Sequence, residues 1–179
     1  MKVISTKLQD CYILEPTVFE DSRGYFFESY NQQKFKELTG LDPVFLQDNQ
    51  SRSSYGVVRG LHQQRGEYAQ AKLVRVLEGR VLDVAVDVRA GSATYGEYVA
   101  VELSAENKRQ LFVPRGFLHG FAVLSEQATF FYKCDNVYNK ESEDGVNPLD
   151  QTLAVDWQIP EVDMILSEKD KQARSFQES

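Results

Sequence analysis

This chain uses histidine twice, at His62 in "VVRGLHQQ" and at His119 in "FVPRGFLHGF", and each ring follows an Arg-Gly pair by a few residues. Imidazole has an unperturbed pKa of about 6.5, so it exchanges protons near neutrality, and in its neutral form it also ligates transition metals. Both rings sit beside glycine and apolar strand residues, where a bulky polar group is costly unless it has a partner or a task. Between them, "QAKLVRVLEGRVLDVAVDV" adds a cation, Lys72, and a carboxylate, Asp83. Two chemistries are therefore open: proton transfer by an imidazole, or a metal held by two imidazoles and a carboxylate such as Asp83. A catalytic metal usually takes three protein ligands, which is all this set would supply.

The elements that position these residues read as strands. In "RVLDVAVDVR", Leu82, Val84, Val86 and Val88 fall on one face, and Val81, Asp83, Ala85 and Asp87 fall on the other. Comparable runs are "CYILEPTVF", "GYFFES", "PVFLQDN", "AKLVRVLEG", "YGEYVAVELS", "QLFVP", "HGFAVLS" and "ATFFYKCDN", most of them closed by Gly, Pro, Asn or Ser. In "AKLVRVL", Lys72 shares a face with Val74 and Val76, which places an ammonium among inward apolar residues. Helix is scarce. "NQQKFKELTG" predicts one short helix with Asn31 as N-cap, Phe35 and Leu38 inward and Gly40 as the stop. "LSEKDKQAR" predicts a second, with Ser167 and Asp170 at capping-box spacing. Many short strands with little helix read as an all-β sandwich or barrel.

The 179 residues suit one domain, and the composition, 42% hydrophobic and 26% charged, is that of a folded globular protein. A formal charge of -7 argues against nucleic acid or an anionic membrane as a partner. An anionic ligand then needs local cations. Cys11 and Cys134 form neither a CxxC pair nor a framework, so free thiols in a reducing compartment are expected. "MKVISTKLQDCYILEP" lacks the apolar run of a signal peptide, and no segment is long and apolar enough to span a bilayer. The expected location is cytoplasmic.

"GVVRGLH", followed by Gly79, and the later "PRGFLH" resemble the two histidine motifs of the cupins, small jelly-roll barrels. Many cupins bind metal through His-x-His and a glutamate in the first motif and one histidine in the second. Here Gln64 takes the second histidine's place, which leaves too few ligands for that site. In order along the chain, "EDSRGYFFESYN", "FLQDNQSRSSYGVVRGLHQQ", "QAKLVRVLEGRVLDVAVDVR", "VPRGFLHGF", "YKCDNVY" and "LSEKD" resemble the metal-free dTDP-4-dehydrorhamnose 3,5-epimerases. The similarity runs from about Glu15 to Asp170. It departs at Gln63, where many members have tyrosine, and at Gln151, where proline is common.

That resemblance implies a single cupin domain over residues 1–179, with N-terminal strands and a C-terminal helical tail. It implies epimerisation at C3 and C5 of a dTDP-4-keto-6-deoxyhexose through enolates, with no cofactor and no metal, in a homodimer that exchanges N-terminal strands. His62 would be the base, with Asp170 on its other ring nitrogen; Lys72 would meet the enolate oxygen, and Tyr132 would return the proton from the opposite face. His119 would touch substrate, supported by Asp83. Arg59 and Arg23, each beside a glycine, would take the diphosphate, with Arg23 reaching a neighbouring subunit's site. Glu28, Gln47 and Asn49 would serve the base, between Phe26 and Tyr138. Asp48 lies in the same binding strand, and Glu143 and Lys169 match positions that touch substrate. A single-carbon epimerase, a 3,4-ketoisomerase, a non-catalytic sugar-binding cupin and a metal-dependent oxygenase are the competing readings.

Overall fold

A computed structural model describes residues 1–178 and consists mainly of antiparallel strands. In chain order these are β1 (Lys2–Ser5), β2 (Tyr12–Glu15), β3 (Phe19–Asp21), β4 (Gly24–Phe26), β5 (Gln47–Ser54), β6 (Val58–Gln64), β7 (Lys72–Glu78), β8 (Arg80–Asp87), β9 (Tyr98–Ser104), β10 (Gln110–Val113), β11 (Phe117–Val123), β12 (Gln127–Cys134) and β13 (Glu143–Gly145). Two short helices, α1 (Gln32–Thr39) and α2 (Glu168–Lys171), lie at the periphery. The strands form a six-stranded sheet, β1-β2-β10-β7-β12-β5, and a five-stranded sheet, β13-β6-β11-β8-β9. A separate hairpin, β3-β4, stands apart from both.

The sheets face each other as in a jelly roll, and their shared interior holds one core cluster. Val74 and Val76 of β7, Leu111 of β10 and Phe130 of β12 meet Val81 and Ala85 of β8, Leu103 of β9 and Phe121 of β11. The outer faces are covered as well. Leu82, Val84 and Val86 of β8 pack against Trp157, Leu153, Ile159 and Phe176 from the C-terminal segment. Trp157 is fully buried and donates its indole N–H to the Pro148 carbonyl at 2.8 Å. The alternation expected of β8 is therefore correct, and both of its faces are buried, which is why apolar residues stand on each side.

Over the six-stranded sheet, α1 lays Phe35 onto Leu14, Leu73 and Phe112. Asn31 caps it by accepting from the Lys34 N–H at 3.1 Å, and Gly40 ends it at φ 75. Leu38, expected inward, is 51% exposed. A two-turn helix presents a narrow face, and Tyr30, Leu41 and Phe45 from its flanks fill the rest. The expected helical tail is one α-helical turn, α2, flanked by 3-10 turns at Glu161–Asp163 and Phe176–Glu178, and in α2 Ser167 Oγ accepts from the Asp170 N–H at 3.1 Å. The reciprocal half of the capping box does not form, because the Asp170 carboxylate points at His62 instead.

Two expected strands need correction, and two strands were not expected as they stand. "CYILEPTVF" breaks into β2 and β3, and "PVFLQDN" is extended only from Gln47 onward. β5 then runs through the polar stretch "QDNQSRSS", and β6 through "VRGLHQQ", neither of which shows an apolar alternation.

Candidate active site

Both histidines stand on the five-stranded sheet and face each other across one ladder: His119 of β11 is the register partner of His62 of β6. Their neighbours are out of phase. Arg59 pairs with Phe121, so three steps along β6 match two along β11, and the extra residue is a bulge. In a regular strand, residues three apart point to opposite faces; the bulge turns Arg59 and His62 into the same cavity. Gly60 and Gly120 permit it. A Cβ on Gly60, which sits at φ 115, would stand 2.6 Å from both the Gly120 Cα and the His119 carbonyl oxygen.

The cavity lies between the sheets, with a volume of about 650 Å³. His62, His119 and Arg59 enter it from one sheet, and Lys72, Tyr132 and Asn49 enter from the other. A smaller cavity of about 290 Å³, lined by Gln47, Gln63, Gln64, Gln70, Tyr138 and Glu143, shares His62, Lys72, Tyr132 and Asn49 with the first. Those four residues therefore stand where the two compartments meet.

His62 holds its Nε2 2.6 Å from Oδ1 of Asp170, which is buried. Burial raises the Asp170 carboxyl, but the bonds from His62 and Ser167 and the His62 charge outweigh it and leave the group below the usual carboxylate range. An ionised Asp170 accepts the Nε2 proton, which leaves the lone pair on Nδ1. His119 makes the analogous pair deeper inside, with Nε2 at 2.9 and 3.1 Å from the two oxygens of Asp83. Asp83 is fully buried, and desolvation raises its carboxyl despite the charges of His119 and Lys72.

The Lys72 ammonium has no hydrogen bond or ion pair among the described residues, and desolvation pulls it below the ordinary lysine range. Tyr132 packs its ring against Phe130 at 5.9 Å, and burial raises its phenol above the usual value. Its hydroxyl likewise has no partner among the described residues. At the rim, Glu143 accepts from Lys169 at 2.6 Å and from the Tyr138 hydroxyl at 3.1 Å. Burial raises Glu143, but those two bonds prevail and keep it ionised at neutral pH. The Gln47 side-chain oxygen accepts from the Tyr138 N–H at 3.1 Å, while its amide donates to Asn49 Oδ1 at 3.0 Å.

Three expected residues lie elsewhere. Arg23 and Phe26 belong to the β3-β4 hairpin, where Arg23 pairs with Asp21 at 2.6 Å and Phe26 is 70% exposed. Glu28 is bound by Lys34 at 2.8 Å and by Asn31 at 3.1 Å. None of the three lines either cavity of its own chain. Asp48 is in the expected strand but on its outer face, paired with Lys133 at 3.0 Å, because Gln47 and Asn49 take the inward positions on either side. The cavities also recruit Ser51, Ser167 and Gln70, which were not expected. Ser51 continues the inward alternation of Gln47 and Asn49, a signal the sequence does carry.

The model of the dTDP-4-dehydrorhamnose 3,5-epimerase family matches residues 5–178. The chain belongs to this family. It is 54% identical over 176 residues to the dTDP-4-dehydrorhamnose 3,5-epimerase of Salmonella typhimurium, covering 97% of this chain and 94% of that one. Among solved structures, the corresponding protein of Elizabethkingia anophelis is 65% identical, with a TM-score of 0.97 and coverage of 100% and 98%. The dTDP-6-deoxy-D-glucose-3,5-epimerase of Legionella pneumophila, solved in complex with dTDP-4-keto-L-rhamnose, is 49% identical with a TM-score of 0.93, covering 97% of this chain and 92% of that one. The 3,5-epimerase family fold is the cupin-type jelly roll, and the two-sheet sandwich described above is that fold. No helix among the described residues is long and apolar enough to cross a membrane.

Proposed function

We propose that this chain is an isomerase that epimerises C3 and C5 of a dTDP-4-keto-6-deoxyhexose, and that His62, Lys72, Tyr132 and Asp170 carry the chemistry. The relatives' shared activity supports the reaction. One observation supports the residue roles: a His-Asp dyad on one sheet faces a phenol and an ammonium on the other within one cavity.

Protons on C3 and C5 flank the C4 ketone. His62 takes one of them, the C–H electron pair becomes the enolate double bond, and negative charge develops on the ketone oxygen. A positioned base contributes about 10²–10⁴-fold to such a step. Lys72, desolvated and without an ion-pair partner among the described residues, meets that oxygen; removing a comparable donor costs about 3–4 kcal/mol. Tyr132 then gives its proton to the same carbon from the opposite face, which inverts it. Oxidation state does not change, so the reaction requires no redox cofactor. Asp170 holds the tautomer of His62 and stabilises its imidazolium, and His119, with Asp83 behind it, contacts the sugar.

Arg59, whose Nε donates to Ser53 Oγ at 3.2 Å, takes the diphosphate. Gln47, Asn49, Tyr138, Glu143 and Lys169 form the polar rim. The β3-β4 hairpin serves a second copy: Phe19, Tyr25 and Phe26 are 60% or more exposed, as an isolated aromatic hairpin would not be in a lone monomer. A homodimer in which Arg23, Phe26 and Glu28 complete the neighbour's nucleotide site accounts for that exposure, and sedimentation should return twice the chain mass. Residues 1–179 act as one domain, and the free thiols of Cys11 and Cys134 suit the cytoplasm.

The test is incubation with the 4-ketosugar nucleotide in heavy water, followed by mass analysis at C3 and C5. Two deuteriums are expected. One deuterium would make the chain a single-carbon epimerase, and none with intact binding would make it a binding protein.

A further inference from the structure

We propose that Asp144 is a positioning residue for the catalytic dyad: its carboxylate ties Arg174, and with it the segment that delivers Asp170, to the strand that carries His62. The inference rests on the reading of His62 and Asp170 as base and orienting acid.

The geometry begins at β13. Gly145 is the register partner of His62, Asp144 of Gln63 and Glu143 of Gln64. Alternation sends Glu143 into the catalytic compartment and Asp144 to the opposite side of the sheet. There Asp144 accepts from Gln63 Nε2 at 2.9 Å and from Arg174 through Nε and Nη2 at 2.8–3.1 Å, and it forms an ion pair with Arg65 Nη2 at 2.7 Å. Two of these partners, Gln63 and Arg65, belong to the histidine strand or the loop just after it. The third belongs to the C-terminal segment, four residues beyond Asp170.

Asp170 has no strand of its own. The segment holding it is anchored at Ile165, whose N–H and carbonyl pair with Gly56 and Val58, and again at Arg174, whose carbonyl accepts from the Asn147 N–H at 3.0 Å. Between these points α2 is a single turn. The fork of Arg174 on Asp144 is the side-chain part of the second anchor, and bidentate pairs of this kind fix orientation as well as distance. Arg174 Nη1 is buried with no hydrogen-bond partner among the described residues, so Asp144 is the group that holds this guanidinium. Without the carboxylate, Arg65 and Arg174 would face each other uncompensated. On the dyad side, a Cβ on Gly145 would stand 3.1 Å from His62 Cδ2, so displacement of β13 is felt at once by the ring.

Asp144 touches no cavity that holds the sugar, so it should govern the rate rather than substrate affinity. The experiment uses the full chain with Asp144→Asn, Arg174→Lys, Asp170→Asn and the two double variants with Asp170→Asn, reading kcat and KM for deuterium incorporation. Asp144→Asn should lower kcat about 10–100-fold, the effect of a displacement of roughly an ångström at a reacting group, with KM little changed. In the Asp170→Asn background the same substitution should add nothing, since the residue it positions is already gone. Arg174→Lys keeps the charge but loses the fork, and should fall between wild type and Asp144→Asn. If Asp144→Asn does not fold, Arg174→Lys supplies the same cycle. Wild-type kcat in either variant, or an equal loss in both backgrounds, would overturn the proposal while leaving the dyad intact. Wild-type exchange by Asp170→Asn alone would instead overturn the dyad, and this inference with it.

Discussion

Asp170 reaches across 108 residues of chain to set its Oδ1 2.6 Å from Nε2 of His62. That contact selects the tautomer with the lone pair on Nδ1. Asp170→Asn can donate as well as accept, so it loses both the tautomer preference and the counter-charge. The expected result is a fall in kcat of about 10²-fold or more, with dTDP affinity unchanged because the Asp170 carboxylate is engaged by His62 rather than by an arginine of the diphosphate site. Isothermal titration with dTDP beside steady-state kinetics checks both halves.

Under the proposed mechanism, Lys72 should set the alkaline limit of activity. Desolvation lowers its ammonium below the ordinary 10.5, while Tyr132 is raised above 10.0 by burial and keeps its proton. Activity should therefore fall, as pH rises, at a value below that of free lysine, as the ammonium that meets the enolate is lost. In Lys72→Met the rate should drop about 10²–10³-fold and that limb should vanish. Persistence of the same limb in the variant would assign it to another group.

Tyr132→Phe separates removal of a proton from its return. The variant keeps His62 and Lys72, so deuterium should still wash into the starting sugar by retention, while the yield of inverted product drops by about 10²-fold or more. Chiral analysis of recovered sugar distinguishes the two. Equal inversion by wild type and variant would remove Tyr132 from the mechanism.

A stability prediction lies far from the site. Asp87, fully buried, accepts from Arg89 Nη2 at 2.8 Å, Ser92 Oγ at 2.6 Å and Thr94 Oγ1 at 2.7 Å. Burial raises its carboxyl, but these bonds hold it well below the usual range. Its contribution is fully present above the unfolded pKa of about 3.9 and is lost as pH falls through the folded value. Asp87→Asn should cost about 1.5–3 kcal/mol in urea denaturation at pH 7, and the gap should narrow on acidification.

The sequence was legible where strands bury apolar side chains and opaque where they do not. β7, β8, β11 and β12 announce themselves through Val, Leu and Phe at period two. β5 and β6 do not, because the inward residues Asn49, Ser51, Arg59 and His62 are polar side chains that line the cavity. The elements that build the site are thus the ones hydrophobic periodicity is least able to find. Asp48 shows the complementary point: once Gln47 and Asn49 are placed inward, alternation alone sends Asp48 outward. Asp170 could not be read from spacing, which offered only a helix cap; the resemblance supplied its role, and the fold brings its carboxylate to the histidine. Leu38 was misplaced because a helix of two turns has room for one buried anchor, and Phe35 fills it.

The account depends most directly on His62 as the group that removes both protons. The decisive measurement is deuterium incorporation at C3 and C5 by His62→Asn, under saturating ketosugar nucleotide, with dTDP affinity measured on the same preparation. Loss of exchange at both carbons by about 10²–10⁴-fold, with dTDP binding retained, is the predicted result. Exchange at either carbon at the wild-type rate would contradict it.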